Sequence, residues 1–188
     1  MPIDLGDSVS VSSYLPCRDD VVSLTLRADL RNPHPDARRV IRSKAEQPPD
    51  DWDQRTILTV PGVVWSVPSD TCATGRLSAP DNIAYDHNFR EFVFRQPRTE
   101  GELAAIMSAD SEEVFSCYRF DGLARWTHAS LGSWLEDMNV VVGYVHHTLS
   151  RDLDPEILCG LRQYEAYLTS PEFKSYLAEL DGYLRHRE

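Results

Sequence analysis

The residue types best suited to acid–base chemistry lie on the polar side of the stretch from Ala129 to Ser150. Helical spacing places Asn139 and His146 along one stripe of this stretch. Glu136 and His147 lie along the next stripe, about three turns apart, so they cannot touch each other directly. A carboxylate beside an imidazole forms an acid–base pair. These side chains therefore either serve a catalytic site or form an ordinary solvated helix face.

Cys117 is the candidate nucleophile. Trp126 follows it nine residues later, and three predicted helices come next. That order resembles the ubiquitin-conjugating enzymes over residues 113–188, and the resemblance implies a thioester-forming role for Cys117. The family's His-Pro-Asn stretch is absent, since residues 107–111 read Met-Ser-Ala-Asp-Ser, and predicted strands stand where a leading helix belongs. We therefore assign no family, and the apolar strand around Cys117 favours a buried, unreactive thiol.

An acidic turn supplies the candidate contact residues. Trp52 lies among Asp50, Asp51 and Asp53. A tryptophan in this setting either contacts a partner or folds over the edge of the core. Together with Asn139 these residues form the predicted binding set.

Composition narrows the functional classes. The formal net charge is −11, and residues 51–150 carry fourteen acids against seven arginines. An acidic surface repels phosphate groups, so we expect no nucleic-acid and no membrane partner. The four cysteines are far apart, and the chain has no apolar run of the ~20 residues that cross a membrane. We expect a cytoplasmic protein with no metal and no cofactor.

The pattern of elements predicts an α+β fold in one domain, residues 1–188. Residues 1–128 should form a mostly antiparallel sheet, and residues 129–188 a three-helix layer packed on it. Strands are predicted over 8–14, 22–26, 55–60, 63–67, 89–95 and 113–120, and a short helix begins after a capping box at Thr99. The layer should comprise one continuous helix over 129–150 and two helices that start at Asp154-Pro155 and Ser170-Pro171. We expect the first of these to bury four side chains against the sheet: Leu135, Met138, Val142 and Val145.

Two functions are compatible with these features. The first is an acidic cytosolic binding module that recognises another protein, a basic one by charge, in the manner of inhibitors and immunity proteins. The alternative is a small-molecule enzyme or ligand carrier with a pocket between the sheet and the long helix. That pocket would use thiol or histidine chemistry from His146, His147, Glu136 and Cys117. The sequence leaves the oligomeric state and the identity of the partner open.

Overall fold

The computed structural model describes residues 51–69, 72–112 and 117–187. The strands predicted over 8–14 and 22–26 lie outside these ranges. A short 3-10 turn, Trp52–Gln54, begins the described part. The strands are β1 (Trp65–Ser66), β2 (Ile83–Tyr85), β3 (Glu91–Val93) and β4 (Tyr118–Arg119). The helices are α1 (Gly75–Ser78), α2 (Glu100–Glu112), α3 (Gly122–Arg125), α4 (His128–Glu136), α5 (Met138–Leu149), α6 (Pro155–Leu168) and α7 (Pro171–Arg187).

The strands form two small antiparallel pairs, β1 with β4 and β2 with β3. The α+β class and the helical C-terminal layer are confirmed. Within the described residues the sheet is smaller than the sequence predicts, because residues 55–60 are not a strand. Helix side chains take their carbonyl groups instead: Trp134 Nε1 donates to Ile57 O at 3.0 Å, and the Tyr164 hydroxyl donates to Leu58 O at 2.8 Å.

The β2–β3 hairpin separates two hydrophobic clusters. In the register of the pair, Ile83 lies opposite Val93 and Ala84 lies opposite Phe92. Ala84 and Phe92 belong to the larger cluster, which the C-terminal helices line. Ile83 and Val93 belong to the smaller cluster, together with Ile106 of α2. This is the two-residue alternation of side chains expected of a strand that is buried on both faces.

The predicted continuous helix over 129–150 is wrong in one respect: it breaks at Asp137 into α4 and α5. The two halves pack on different partners, α4 on α7 and α5 on α6, and a single straight helix could not follow both. The predicted burial of Leu135, Met138, Val142 and Val145 is therefore only partly confirmed. Val145 is buried, Met138 and Val142 are half-buried, and Leu135 is exposed.

The helix that packs on the sheet is α6, not the predicted long helix. It contacts β2 on one side and both α5 and α7 on others, and it buries Ile157, Leu161 and Tyr164. Its predicted start is confirmed, because the Asp154 carboxylate accepts a hydrogen bond from the amide of Glu156. The α7 start is confirmed in the same way, with Ser170 Oγ accepting from the amide of Phe173.

The capping box at α2 forms in part. Thr99 Oγ1 accepts a hydrogen bond from the amide of Glu102 at 3.1 Å, as predicted. The Glu102 carboxylate reaches one residue further back than expected and accepts from the amide of Arg98 at 2.6 Å. The helix also runs on to Glu112, well past the short helix that the sequence suggests.

Candidate functional site

The exposed side of α5 carries three of the polar residues that the sequence singles out. Asn139, His146 and His147 are all exposed, and so is Glu136 at the end of α4. His146 Nε2 lies 3.1 Å from Glu165 Oε1 of α6. The structure thus gives His146 a carboxylate partner, which is Glu165 and not Glu136. Both members of the pair are open to solvent, so the pair contributes about 0–1 kcal/mol when the imidazole is protonated.

The break between α4 and α5 exposes apolar side chains. We call residues Leu135–Val140 the junction segment. The exposed fraction is 60% for Val140 and 39% for Leu135, and Met138 between them is half-buried. Glu136 and Asp137 are both exposed, and the Asp137 side chain does not cap α5. Apolar side chains bordered by carboxylates have the layout of a protein contact surface, in which a hydrophobic centre has a polar rim.

Trp52 does not stand clear of the protein in the acidic turn. Its ring lies edge-on to Trp65 and to Trp126, with centroid distances of 4.9 and 5.0 Å. The guanidinium carbon of Arg55 stacks over Trp52 at 4.6 Å, and that of Arg125 lies 5.9 Å from the same ring. The indole is half-buried. Of the two sequence interpretations, the structure favours the tryptophan folded over the edge of the core.

The carboxylates of the turn take different roles. Asp51 is buried and pairs with Arg119, Oδ2 to Nη2, at 2.5 Å. Asp53 is exposed. Asp50 lies outside the described residues. Because the buried Asp51 is neutralised by Arg119, the turn is a less negative surface than its sequence suggests.

A further ion pair lies beside the cluster formed by Trp52, Trp65 and Trp126. Asp121 accepts from Trp65 Nε1 at 2.7 Å and from Arg125 Nε at 2.6 Å. Two hydrogen bonds to one carboxylate fix the orientation of both the indole and the guanidinium. The cluster is therefore held in place both by its ring contacts and by the Asp121 carboxylate.

Cys117 is fully buried, as its apolar neighbours predict. It belongs to the smaller hydrophobic cluster, together with Val93 and Ile106. The buried side of α5 belongs to the larger cluster, and His146 and His147 point away from both. The structure therefore does not bring the thiol together with the histidines.

A buried carboxylate is one polar feature that the sequence did not reveal. Glu91 of β3 is 1% exposed, and its oxygens accept hydrogen bonds from the Gly75 amide at 2.7 Å and from the Tyr118 hydroxyl. Its own amide donates to Ser69 Oγ. A side chain at Gly75 would collide with the carboxylate, which explains the glycine. These partners are 16 and 27 residues away along the chain, so no local pattern identifies them.

The same region holds a strained turn. Ala73 has a φ of 56°, in the left-handed region that residues with a side chain seldom adopt. Its carbonyl accepts a hydrogen bond of 2.6 Å from the Tyr85 hydroxyl, which in turn accepts from the Arg76 amide. Burial raises the pKa of Tyr85 to about 12, and the negative charge of Glu91 adds to this, although the Arg76 amide acts in the opposite direction. Tyr85 thus stays protonated and keeps donating to Ala73 at physiological pH.

Among residues 51–69, 72–112 and 117–187, no three His, Cys, Asp or Glu side chains come close enough together to bind a metal ion. In the same ranges no helix combines the length and apolar composition needed to span a lipid bilayer.

Comparison with models of protein families, with curated proteins and with solved structures finds no match to the chain.

Proposed function

We propose that the protein is a cytoplasmic binding module that recognises another protein through the junction segment, Leu135–Val140. The observation that carries the proposal is the exposure of Val140 and Leu135 beside Glu136 and Asp137. Two of the four large hydrophobic side chains that are exposed in the described part of the chain lie within these six residues. Isolated exposed apolar residues are common, but apolar residues that cluster with a polar rim are typical of interfaces.

Charge indicates which partner fits. The junction segment carries two carboxylates and no basic residue, and the whole chain has a formal net charge of −11. Such a field attracts positively charged proteins over a distance and speeds their association. The proposed partner is therefore a basic protein that inserts apolar side chains between its lysines or arginines. Inhibitors and immunity proteins are the functional classes that work in this way.

The enzyme alternative has no comparable support. It requires a pocket between the sheet and the long helix, but the helix that contacts β2 is α6. Cys117 is buried away from the histidines, and the partner of His146 is the half-buried Glu165 of α6. We propose no catalytic role for these residues.

Affinity capture from the producing cells tests the proposal when it compares variants. Val140→Asp places a charge on the most exposed apolar side chain of the junction segment and should abolish retention of the partner. Leu77→Asp is the matched control, because Leu77 is 74% exposed on α1, far along the chain from the segment. Both substitutions are on the surface and should change the free energy of unfolding by less than about 0.5 kcal/mol.

The proposal predicts a basic protein that the wild type and Leu77→Asp retain and that Val140→Asp loses. Retention should also fall when Glu136 and Asp137 are changed to Gln and Asn, and when salt is raised, because exposed charges are screened. Equal retention by the wild type and Val140→Asp would contradict the proposal.

A further inference from the structure

The most basic stretch of the chain has the composition that we propose for the partner. Residues 37–44 read Ala-Arg-Arg-Val-Ile-Arg-Ser-Lys, which gives four basic side chains and no acid within eight positions. Val40 and Ile41 stand between Arg39 and Arg42, so an apolar pair is bordered by cations on both sides. We call these residues the basic segment, and they lie outside the part of the chain that the structure describes.

The junction segment offers the complementary surface. Leu135 and Val140 expose apolar side chains, and Glu136 and Asp137 between them are exposed carboxylates. The sequence of the segment contains no basic residue. Guanidinium groups pair well with carboxylates, and apolar side chains gain free energy when they bury one another. The two segments therefore match in both charge and hydrophobicity.

The basic segment is close enough along the chain to reach this surface. The described part begins beside the start of α4, where Trp52 packs against Trp126 at a centroid distance of 5.0 Å. It then follows α4 toward the junction segment, because Trp134 near the end of the helix donates to the carbonyl of Ile57. The nine residues of α4 span about 14 Å, and the seven positions from residue 44 to residue 51 span up to about 25 Å. A contact within the same chain is therefore within reach.

We propose that the basic segment docks on the junction segment of its own chain and competes with the protein partner. This autoinhibitory contact rests on the proposed function, since both assign the same surface. A segment joined to its site by a short stretch of chain acts at an effective concentration in the mM range. A contact with a dissociation constant of about 0.1 mM would then cover the surface about 90% of the time. The apparent affinity for the partner would be about 10-fold weaker than the affinity of the uncovered surface.

Photo-crosslinking of the purified full chain tests the contact without the partner. A photoreactive benzophenone amino acid replaces Val140, and the dilute protein is irradiated and its peptides are mapped by mass spectrometry. Irradiation should link position 140 to residues 37–44 in a product of monomer mass. The same group at Leu77, which is 74% exposed on α1, is the matched control and should give no link to the basic segment.

Charge reversal in the basic segment tests the competition. Arg39→Glu together with Arg42→Glu should remove the intramolecular link, because the carboxylates of the junction segment then repel the basic segment. The same two changes should strengthen capture of the partner from the producing cells, with half-maximal capture at about 10-fold lower protein concentration. Arg27→Glu together with Arg31→Glu alters the net charge equally but leaves residues 37–44 intact, so this control should keep the link and the wild-type capture.

The outcomes separate the autoinhibitory contact from the proposed function. A partner that the wild type captures and Val140→Asp loses, without an intramolecular link from position 140, would overturn the contact and leave the proposed function standing. A link to residues 37–44 without any captured partner would support the contact and overturn the proposed function. A link between two chains, seen as a product of twice the monomer mass, would also overturn the contact, because a second copy would then cover the surface.

Discussion

Removal of one hydroxyl group should reveal how much the C-terminal helices stabilise the irregular segment at residues 55–64. The Tyr164 hydroxyl of α6 donates to Leu58 O at 2.8 Å, and the side chain is completely buried. Tyr164→Phe deletes this donor and changes little else. The carbonyl of Leu58 would then be left in the core without its helix partner.

The expected cost follows from the burial. A hydrogen bond contributes about 0.5–1.5 kcal/mol net, but a buried acceptor left without a donor costs about 1–3 kcal/mol. Because the contact lies in the core, we expect the upper range for Tyr164→Phe. In a domain of this size each kcal/mol lowers the melting temperature by about 2–4 °C.

Urea titration followed by tryptophan fluorescence measures the change. Tyr183→Phe is the matched control, since Tyr183 is half-buried on α7 and makes no hydrogen bond with the described residues. The control should stay within about 0.5 kcal/mol of the wild type. A Tyr164→Phe variant as stable as this control would refute the idea that helix hydroxyl groups hold the segment in place.

Two other predictions concern packing and pH. Gly122→Ala should destabilise the protein by about 1–3 kcal/mol in the same titration, because the new methyl group would collide with the carbonyl oxygen of Gly62. Gly132→Ala in α4 is the matched control: its methyl group meets nothing within 4 Å, and the change should stabilise the helix by up to about 1 kcal/mol. A destabilised Gly132→Ala or a neutral Gly122→Ala would contradict this. Burial raises the pKa of Tyr85 to about 12 and raises that of Tyr176 well above the ordinary 10.0. Since the unfolded chain then loses these protons first, stability should be complete below pH 10 and fall as the pH rises above it. Tyr85 and Tyr176 should therefore ionise only as the protein unfolds, and their ionisation in the folded protein near pH 10 would be the opposite result.

Local signals in the sequence predicted local structure well. The caps at Asp154 and Ser170 depend on residues two or three positions away, and both form. The burial of Cys117 followed from its apolar neighbours. The caps and the burial of Cys117 depend on residues that are near in the sequence, so a short stretch of sequence is enough to predict them.

Features that depend on contacts between residues far apart in the chain could not be predicted from the sequence pattern. The break at Asp137 arises because α4 and α5 pack on different helices. The sequence between 129 and 150 contains no signal for those partners. The segment at 55–60 has the composition of a strand, but its carbonyls are taken by helix residues such as Tyr164, 106 positions away from Leu58. Arg76 and Cys159 likewise meet across 83 positions. Long-range pairing of this kind overrides local propensity.

Site-specific photo-crosslinking in the producing cells tests most directly whether the junction segment is a docking surface. A photoreactive benzophenone amino acid is placed at Val140 in one protein and at Leu77 in another, two positions of comparable exposure. Irradiation of the Val140 protein should give one discrete adduct with a basic protein, and the adduct should weaken when Glu136 and Asp137 are neutralised. The Leu77 protein should give no such adduct. The absence of an adduct at Val140, or the same adducts at both positions, would contradict the proposed function.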